Sequence, residues 1–293
     1  MMPIVILTAT YNHPKELENL YHTLTNQNDN SFTWIIINDG SKEDTVNLID
    51  RFQREALIDI KAYHQENGGK SKAINQGIEL LKTDAEFFLI VDDDEKLDKN
   101  AVQLIKDYYS KYKDTDCGVI HFNRRDENGN VIADPYFEED YFMPFQVHKG
   151  KGYHADGYLG YFTEKLGDNR FRIYDGEKYI SPSTLFMTVT RKSQLLWASP
   201  VLGETKYLDG GITKQGRRLR IKNPQGMIDY CKLMQGNGAT LKTRISYSIQ
   251  GFAYLSFCQD RRAVDMSGLL KTMYLPGIVL GKAWKKKYGI NAK

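Results

Sequence analysis

Through the first 120 residues, short apolar runs alternate with stretches whose apolar residues recur every three or four positions. Ile4 to Ala9 is continuous and rich in β-branched residues, as expected of a strand buried on both faces. Pro14 to Gln27 follows with Leu17, Leu20, Tyr21 and Leu24 on one helical face; Asn12 stands where a cap is wanted and Pro14 suits the first turn. FTWIIIN, residues 32–38, predicts a second strand that stops at Asp39-Gly40-Ser41. A helix is predicted from Lys42 to Arg54, with Val46, Ile49 and Phe52 inward, and a third strand from Ile58 to Tyr63. A glycine pair then opens a helix carrying Ala73, Ile74, Ile78 and Leu81. Phe87 to Val91 gives a fourth strand and Ala101 to Tyr112 a further helix. Strands of this kind, alternating with helices, predict an α/β fold: a mostly parallel sheet with helices on both faces.

After Cys117 the pattern changes. GVIHFNRRDENGNVIADPYF reads as a hairpin around Asn128-Gly129-Asn130. From Tyr136 to Ser199 the chain is aromatic, polar and glycine-rich, the composition of substrate-facing loops and short strands. Beyond Asn223 helical periodicity returns through Met227, Tyr230, Cys231 and Met234, then Ile245, Ile249, Phe252 and Ala253. The expected division is an α/β domain over residues 1–222, whose halves meet near 125, and a C-terminal helical region over 223–293.

Composition narrows the function classes. The balance of 40 basic and 37 acidic residues, a net +3, is too even to imply nucleic acid. Cys117, Cys231 and Cys258 are odd in number and far apart, and are expected to be reduced core thiols of a cytoplasmic protein. The opening MMPIVILTAT lacks a charged leader, and its apolar run is expected to be the first strand, not a signal peptide. No stretch reaches the roughly 18 apolar residues of a membrane span.

Ligands of parallel α/β sheets sit beyond the carboxyl ends of the strands. The polar residues expected there are Thr8, Thr10, Asn12, Asp39 and the run Asp92-Asp93-Asp94, all on one edge. Three adjacent carboxylates repel one another unless something offsets them. A calcium EF-hand loop would need an acceptor and then glycine where Lys96 and Leu97 stand, so that reading fails. Asp92 and Asp94 can converge on one hard cation together with phosphate oxygens, as Mg²⁺ or Mn²⁺ prefers. In HQENGGKSKAIN, a P-loop would need glycine where His64 stands. A glycine pair opening a helix, with Lys70 in the first turn, still suits contact with a nucleotide.

TATYN, NDGS, ENGGKSKAIN and VDDDE occur in that order at successive strand ends. This series resembles the family 2 glycosyltransferases, strongly over residues 3–125 and more loosely beyond. The remainder is similar in layout to bacterial capsule and cell-wall polysaccharide transferases. The resemblance implies a GT-A fold, a Rossmann-like sheet flanked by helices, with a nucleotide-binding half to about residue 125 and an acceptor half to 222. It implies that Thr8, Thr10 and Tyr11 line the uracil of a UDP-sugar and that Asp39 hydrogen-bonds the base. Lys70 and Asn75 then lie beside the nucleotide, with Asp92 toward ribose and metal. The resemblance further implies that Asp94 is on the Mn²⁺ or Mg²⁺ ion and that Asp93 holds the variable middle place.

Inverting transfer also needs a base for the acceptor hydroxyl. SPVLGETKYLDGG resembles the family segment that supplies it, and both Glu204 and Asp209 fit. The expected partners are a UDP-sugar donor, a saccharide acceptor that can be carried on a lipid diphosphate, and a membrane surface. The tail, LLKTMYLPGIVLGKAWKKKYGINAK, is too charged to span a bilayer; Trp284 and Lys285–Lys287 suit its interface, placing the protein peripherally on the inner face. Arg217, Arg218, Arg220 and Lys222 read as a solvated face that could also meet an acceptor diphosphate. Two other readings compete: a sugar-1-phosphate nucleotidyltransferase, for which TATYNHP lacks a glycine-rich basic loop, and a catalytically silent nucleotide- or sugar-binding module.

Overall fold

The computed structural model describes residues 4–81, 85–205 and 212–289, with the side chains of 212–215 outside the description. Its strands are β1 (Ile4–Thr10), β2 (Thr33–Asn38), β3 (Asp59–His64), β4 (Phe87–Ile90), β5 (Glu95–Leu97), β6 (Cys117–Arg125), β7 (Ala133–Asp134), β8 (Tyr141–Phe142), β9 (His154–Ala155), β10 (Gly157–Phe162) and β11 (Gln194–Thr205). Its helices are α1 (Pro14–Thr25), α2 (Glu43–Glu55), α3 (Lys70–Leu80), α4 (Ala101–Tyr112), α5 (Phe145–Gly150), α6 (Thr163–Leu166), α7 (Ser183–Val189), α8 (Ile212–Lys222), α9 (Pro224–Leu233), α10 (Leu241–Leu255) and α11 (Tyr274–Tyr288). They fall into two compact units. The first takes the described residues of Met1–Met143, Tyr153–Asn169 and Lys192–Lys206, and the second those of Pro144–Gly152, Arg170–Arg191 and Tyr207–Lys293.

The first unit is built on a nine-stranded sheet in the order β3-β2-β1-β4-β10-β6-β11-β5, with β8 added to β11. β3, β2, β1 and β4 pair in parallel, β10 is antiparallel to both β4 and β6, and β11 runs parallel to β6. The mostly parallel α/β sheet that the apolar runs predict is therefore present. Its apolar character follows from its position: β1, β2 and β4 have neighbours on both sides, whereas β3 closes an edge and alternates between exposed and half-buried residues. On one face, Leu17, Leu20, Tyr21 and Leu24 of α1 reach the same core as Trp34, Ile49 and Phe52. Tyr21 stacks on Phe52 with ring centroids 3.9 Å apart.

The turn at Asp126–Asn130 forms as the sequence predicts, with Asp126 Oδ1 accepting from the amides of Asn128 and Asn130, both at 2.9 Å. The expected hairpin does not extend. Both edges of β6 are already taken by β10 and β11, so the returning chain touches β6 through a single Arg125–Val131 bridge, and β7 pairs with β9 instead. Asn12 is not the cap of α1 either. His13 holds that position, while Asn12 sits at φ +57° and its side chain accepts from the Lys42 amide at 2.8 Å.

In the second unit, α10 packs between α9 and α11 over Ile221, Met227, Ile228, Cys231, Phe252 and Leu255. Gly277 and Gly281 allow the close approach of α11, since a Cβ at Gly277 would lie 2.3 Å from that of Phe252. That contact fixes which side of α11 faces inward. Trp284 is on it, 5.2 Å from the Tyr254 ring, with the Arg217 guanidinium 4.4 Å from its own centroid. The tryptophan expected at a membrane interface is thus committed to packing. Leu275 at 72% exposure and Val279 at 67% lie outward instead. Among the described residues, no helix is long and apolar enough to cross a membrane.

Candidate active site

β4 ends where Asp92, Asp93 and Asp94 leave the sheet, and Glu95 opens β5. Asp92, Asp93 and Glu95 each meet a different counterpart. Lys70 Nζ, from the first turn of α3, pairs with Asp92. Burial works against the lysine charge, but Asp92, then Glu95 and Asp94, outweigh it and hold its pKa above the ordinary value. Asp93 turns inward and accepts from Thr10 Oγ1 at 2.7 Å and from His13 Nδ1 at 3.3 Å. The bond to Asp93 raises the His13 pKa against the opposing effect of burial. Glu95 accepts from the Asp92 amide at 2.9 Å and pairs with buried Arg124, which also reaches Asp156. At Asp94, burial, then the charges of Asp92 and Asp93, push the pKa up to about 6.

Asp39, at the end of β2, is 3% exposed and saturated. One oxygen accepts from Gln65 Nε2 at 2.7 Å and the Gly68 amide at 2.8 Å; the other accepts from Asn67 Nδ2 at 3.2 Å and the Gly69 amide at 2.8 Å. A carboxylate offers about four lone-pair sites, and these bonds use them all. Helix N-termini attract anions through their free amides. At α3 that anion is Asp39, which holds the turn from which Lys70 reaches the acidic loop. The turn also needs Gly40, at φ +78°, since a Cβ there would lie 2.7 Å from the Asn67 amide nitrogen.

The structure brings Thr10, Lys70, Asp92, Asp93 and Asp94 together. Tyr11 lies beside them, 47% exposed, and Asn75 is half-buried on the second turn of α3. Thr8 is set apart: it is fully buried and its hydroxyl accepts from Trp34 Nε1 at 3.0 Å. Glu204 lies on β11 directly opposite Lys96 of β5, with the Lys96 ammonium 3.4 Å from its carboxylate. Paired residues share a face, so Glu204 and Lys96 lie opposite to Glu95 and Thr205. Asp209 lies outside the described residues. Sequence reasoning missed His13, Gln65, Asn67, Arg124 and Asp156 as parts of this arrangement. The two arginines that end β6, at the same sheet edge as an acidic run, were the available signal for Arg124.

Replacing Asp39 by Ala strips an acceptor from four donors. The variant is expected to lose about 1–3 kcal/mol in urea unfolding, the scale for buried groups left without a partner. Amide hydrogen exchange at Gly68 and Gly69 should quicken; unchanged exchange there would show that something other than Asp39 holds the turn.

Known proteins resemble this chain in sequence and in fold. The family model described as glycosyl transferase family 2 matches residues 5–167. Over 131 residues the chain is 27% identical to glycosyltransferase GlyG of Streptococcus pneumoniae serotype 4, covering 43% of this chain and 42% of that one. Over 132 residues it is 29% identical to the poly-beta-1,6-N-acetyl-D-glucosamine synthase of Staphylococcus aureus, covering 44% and 30%. The chain thus spans less than half the length of either relative. The crystal structure of S. aureus TarS 1–349 in complex with UDP-GlcNAc superposes with a TM-score of 0.64 over 98% of this chain and 91% of that one, at 14% identity, a likeness of fold. With the family model matching more than half of its length, the chain belongs to glycosyl transferase family 2.

Proposed function

We propose that this chain is a metal-dependent, inverting glycosyltransferase that moves a sugar from a UDP-sugar to a glycan or lipid-linked saccharide in surface polysaccharide synthesis. The observation that carries the reading is the acidic loop at the carboxyl edge of the sheet, with Lys70 set against it. The family supports transfer, the TarS complex supports a UDP-sugar and the synthase supports a saccharide product.

Among the described residues, no three histidine, cysteine or acidic side chains gather to hold a metal unaided. The donor set nonetheless fits Mg²⁺ or Mn²⁺, which takes one or two carboxylates and completes its shell with water and phosphate oxygens. Asp92 and Asp94 would hold it. When bound, the ion supplies positive charge to the leaving diphosphate. Lys70 adds a second positive charge at the same place. Asp93, held by Thr10 and His13, fixes the loop so that its neighbours stay on the outward side. The Tyr11 ring is accessible to a base, and Asp39 keeps the 65–69 turn beside it in shape. The acceptor proton goes to Glu204 or Asp209.

Asp94→Ala is expected to abolish most UDP release from UDP-sugars, and excess chelator to do the same to the wild type. Full activity in either case would sink the metal role. UDP binding without any turnover across a panel of UDP-sugars would indicate a silent binding module. For the base, Glu204→Gln or Asp209→Asn should lower kcat by about 10²-fold or more with UDP binding unchanged. The variant that does so identifies the residue; if neither does, the acceptor side lies elsewhere.

Membrane attachment at the inner face is the remaining part of the reading, and α11 is its basis. The outward stripe of α11 runs Leu275, Val279, Lys282, Lys286, and residues 268–289 contain no acidic side chain. Basic residues near an anionic surface contribute about 1 kcal/mol each, enough for reversible attachment. The chain is expected to sediment with phosphatidylglycerol vesicles at low salt and to release in high salt. Leu275→Asp with Val279→Asp, which leaves the Gly277 and Gly281 contacts intact, should abolish sedimentation. Equal sedimentation of that double variant would exclude α11 as the contact.

A further inference from the structure

In the second unit, α8 carries Arg217, Arg218, Arg220 and Lys222 toward its end and no acidic residue along its length. Arg217 with Arg220, and Arg218 with Lys222, stand at the helical spacings where like charges repel. An anion should offset them, yet among the described residues no carboxylate pairs with any of the four. Asp229, the next acidic residue along the chain, is engaged by Tyr174 and Arg172 instead.

Arg217 is held in a fixed orientation. Its Nη1 donates to Tyr254 Oη at 2.8 Å and to Gln250 Oε1 at 3.3 Å, and its guanidinium lies over the Trp284 ring. Both bonds leave from one nitrogen. The Nε–Nη2 edge, which can grip one anion through two parallel bonds, meets no acceptor among the described residues.

Arg220 is exposed, and its charge reaches the same place. Tyr254 is fully buried; burial pushes its pKa up to about 12, with Arg217 and Arg220 acting against the rise. Burial likewise pushes the Cys231 thiol up, and the same two arginines oppose it. Two guanidinium charges therefore gather around one buried centre.

We propose that Arg217 and Arg220 form a binding site for a dianionic phosphate group, such as a phosphate monoester. Arginine forks match phosphate oxygens in pairs, and a monoester carries close to two negative charges at pH 7, one for each guanidinium. A carboxylate or phosphodiester brings only one charge. A neutral sugar or an apolar ligand would leave the run of cations as uncompensated as before. The site lies within the second unit, shares no residue with the acidic loop and does not depend on the transfer reading. A lipid headgroup and a soluble phosphate ester present the same chemistry to it.

The test titrates the whole chain calorimetrically in excess EDTA, where the acidic loop has no metal with which to hold a phosphate. Inorganic phosphate, pyrophosphate and glycerol 3-phosphate are the probes, and acetate is the control that should not bind. Arg220→Gln should weaken the phosphates about tenfold, as should Arg217→Lys, which keeps the charge and removes the fork. Lys242→Gln, which deletes a charge about 18 Å from Tyr254 along α10, should change nothing. Arg220 is exposed, so its variant should keep the wild-type thermal midpoint and stays decisive even where Arg217→Lys unfolds. Vesicle sedimentation separates the sources. If Arg220→Gln lowers binding to phosphatidic acid but not to phosphatidylglycerol, a diester, the ligand is a lipid headgroup. If it affects neither while glycerol 3-phosphate still binds through Arg220, the ligand is a soluble ester. Absence of binding by every phosphate and by phosphatidic acid, or equal weakening by Lys242→Gln and Arg220→Gln, would overturn the site.

Discussion

Four consecutive carboxylates, Asp92 to Glu95, leave the sheet at one point, and the surrounding architecture is organised by the need to offset them. Two like charges 4 Å apart near a protein surface repel by about 4 kcal/mol, a large fraction of a domain's net stability. The offset comes from separate parts of the chain. Lys70 arrives on α3, Thr10 and His13 from the loop after β1, and Arg124 from the end of β6. The acidic run is thereby a junction: side chains from three separate segments converge on it. Lys70 offsets only part of the burden on Asp94, whose pKa stays raised.

A second constraint comes from loops at the ends of parallel strands, whose amides have no ladder to join. Here side chains take that role. Asn12 accepts from the Lys42 amide, Asn38 accepts from the Ser41 amide at 2.9 Å, and Asp39 accepts from the amides of Gly68 and Gly69. The loops after β1, β2 and β3 become one hydrogen-bonded surface. Asp39 is therefore accounted for within the protein itself. Any bond it makes to a nucleobase must displace one of the donors that hold the 65–69 turn.

Much of this was legible in the sequence because strand exits and helix faces are local properties. Apolar runs locate β1, β2 and β4, and the first polar residue after each run is at the carboxyl edge of the sheet. Which partner each polar residue meets is not local. Thr8 and Thr10 lie on the same side of β1, but Thr8 is one pleat deeper, where Trp34 of β2 supplies a donor; only Thr10 reaches the acidic loop. Arg124 and Arg125 are adjacent and identical, yet alternation sends one to Glu95 and the other to Asp98. Trp284 followed by three lysines carries an interfacial composition. The two glycines that let α11 approach α10 override it, because they decide which side of the helix is inward.

The middle aspartate shows how far position outweighs residue type. In the motif it holds the variable place, yet here it is the most buried of the three, at 7% exposure, with Asp92 and Asp94 half-exposed on either side. Its inward turn gives Thr10 and His13 an acceptor and anchors the loop to the end of β1. The same turn leaves the flanking carboxylates of Asp92 and Asp94 half-exposed. Three charges in a row are thus not three copies of one function. One secures the loop from within, and the other two stay half-exposed on either side of it.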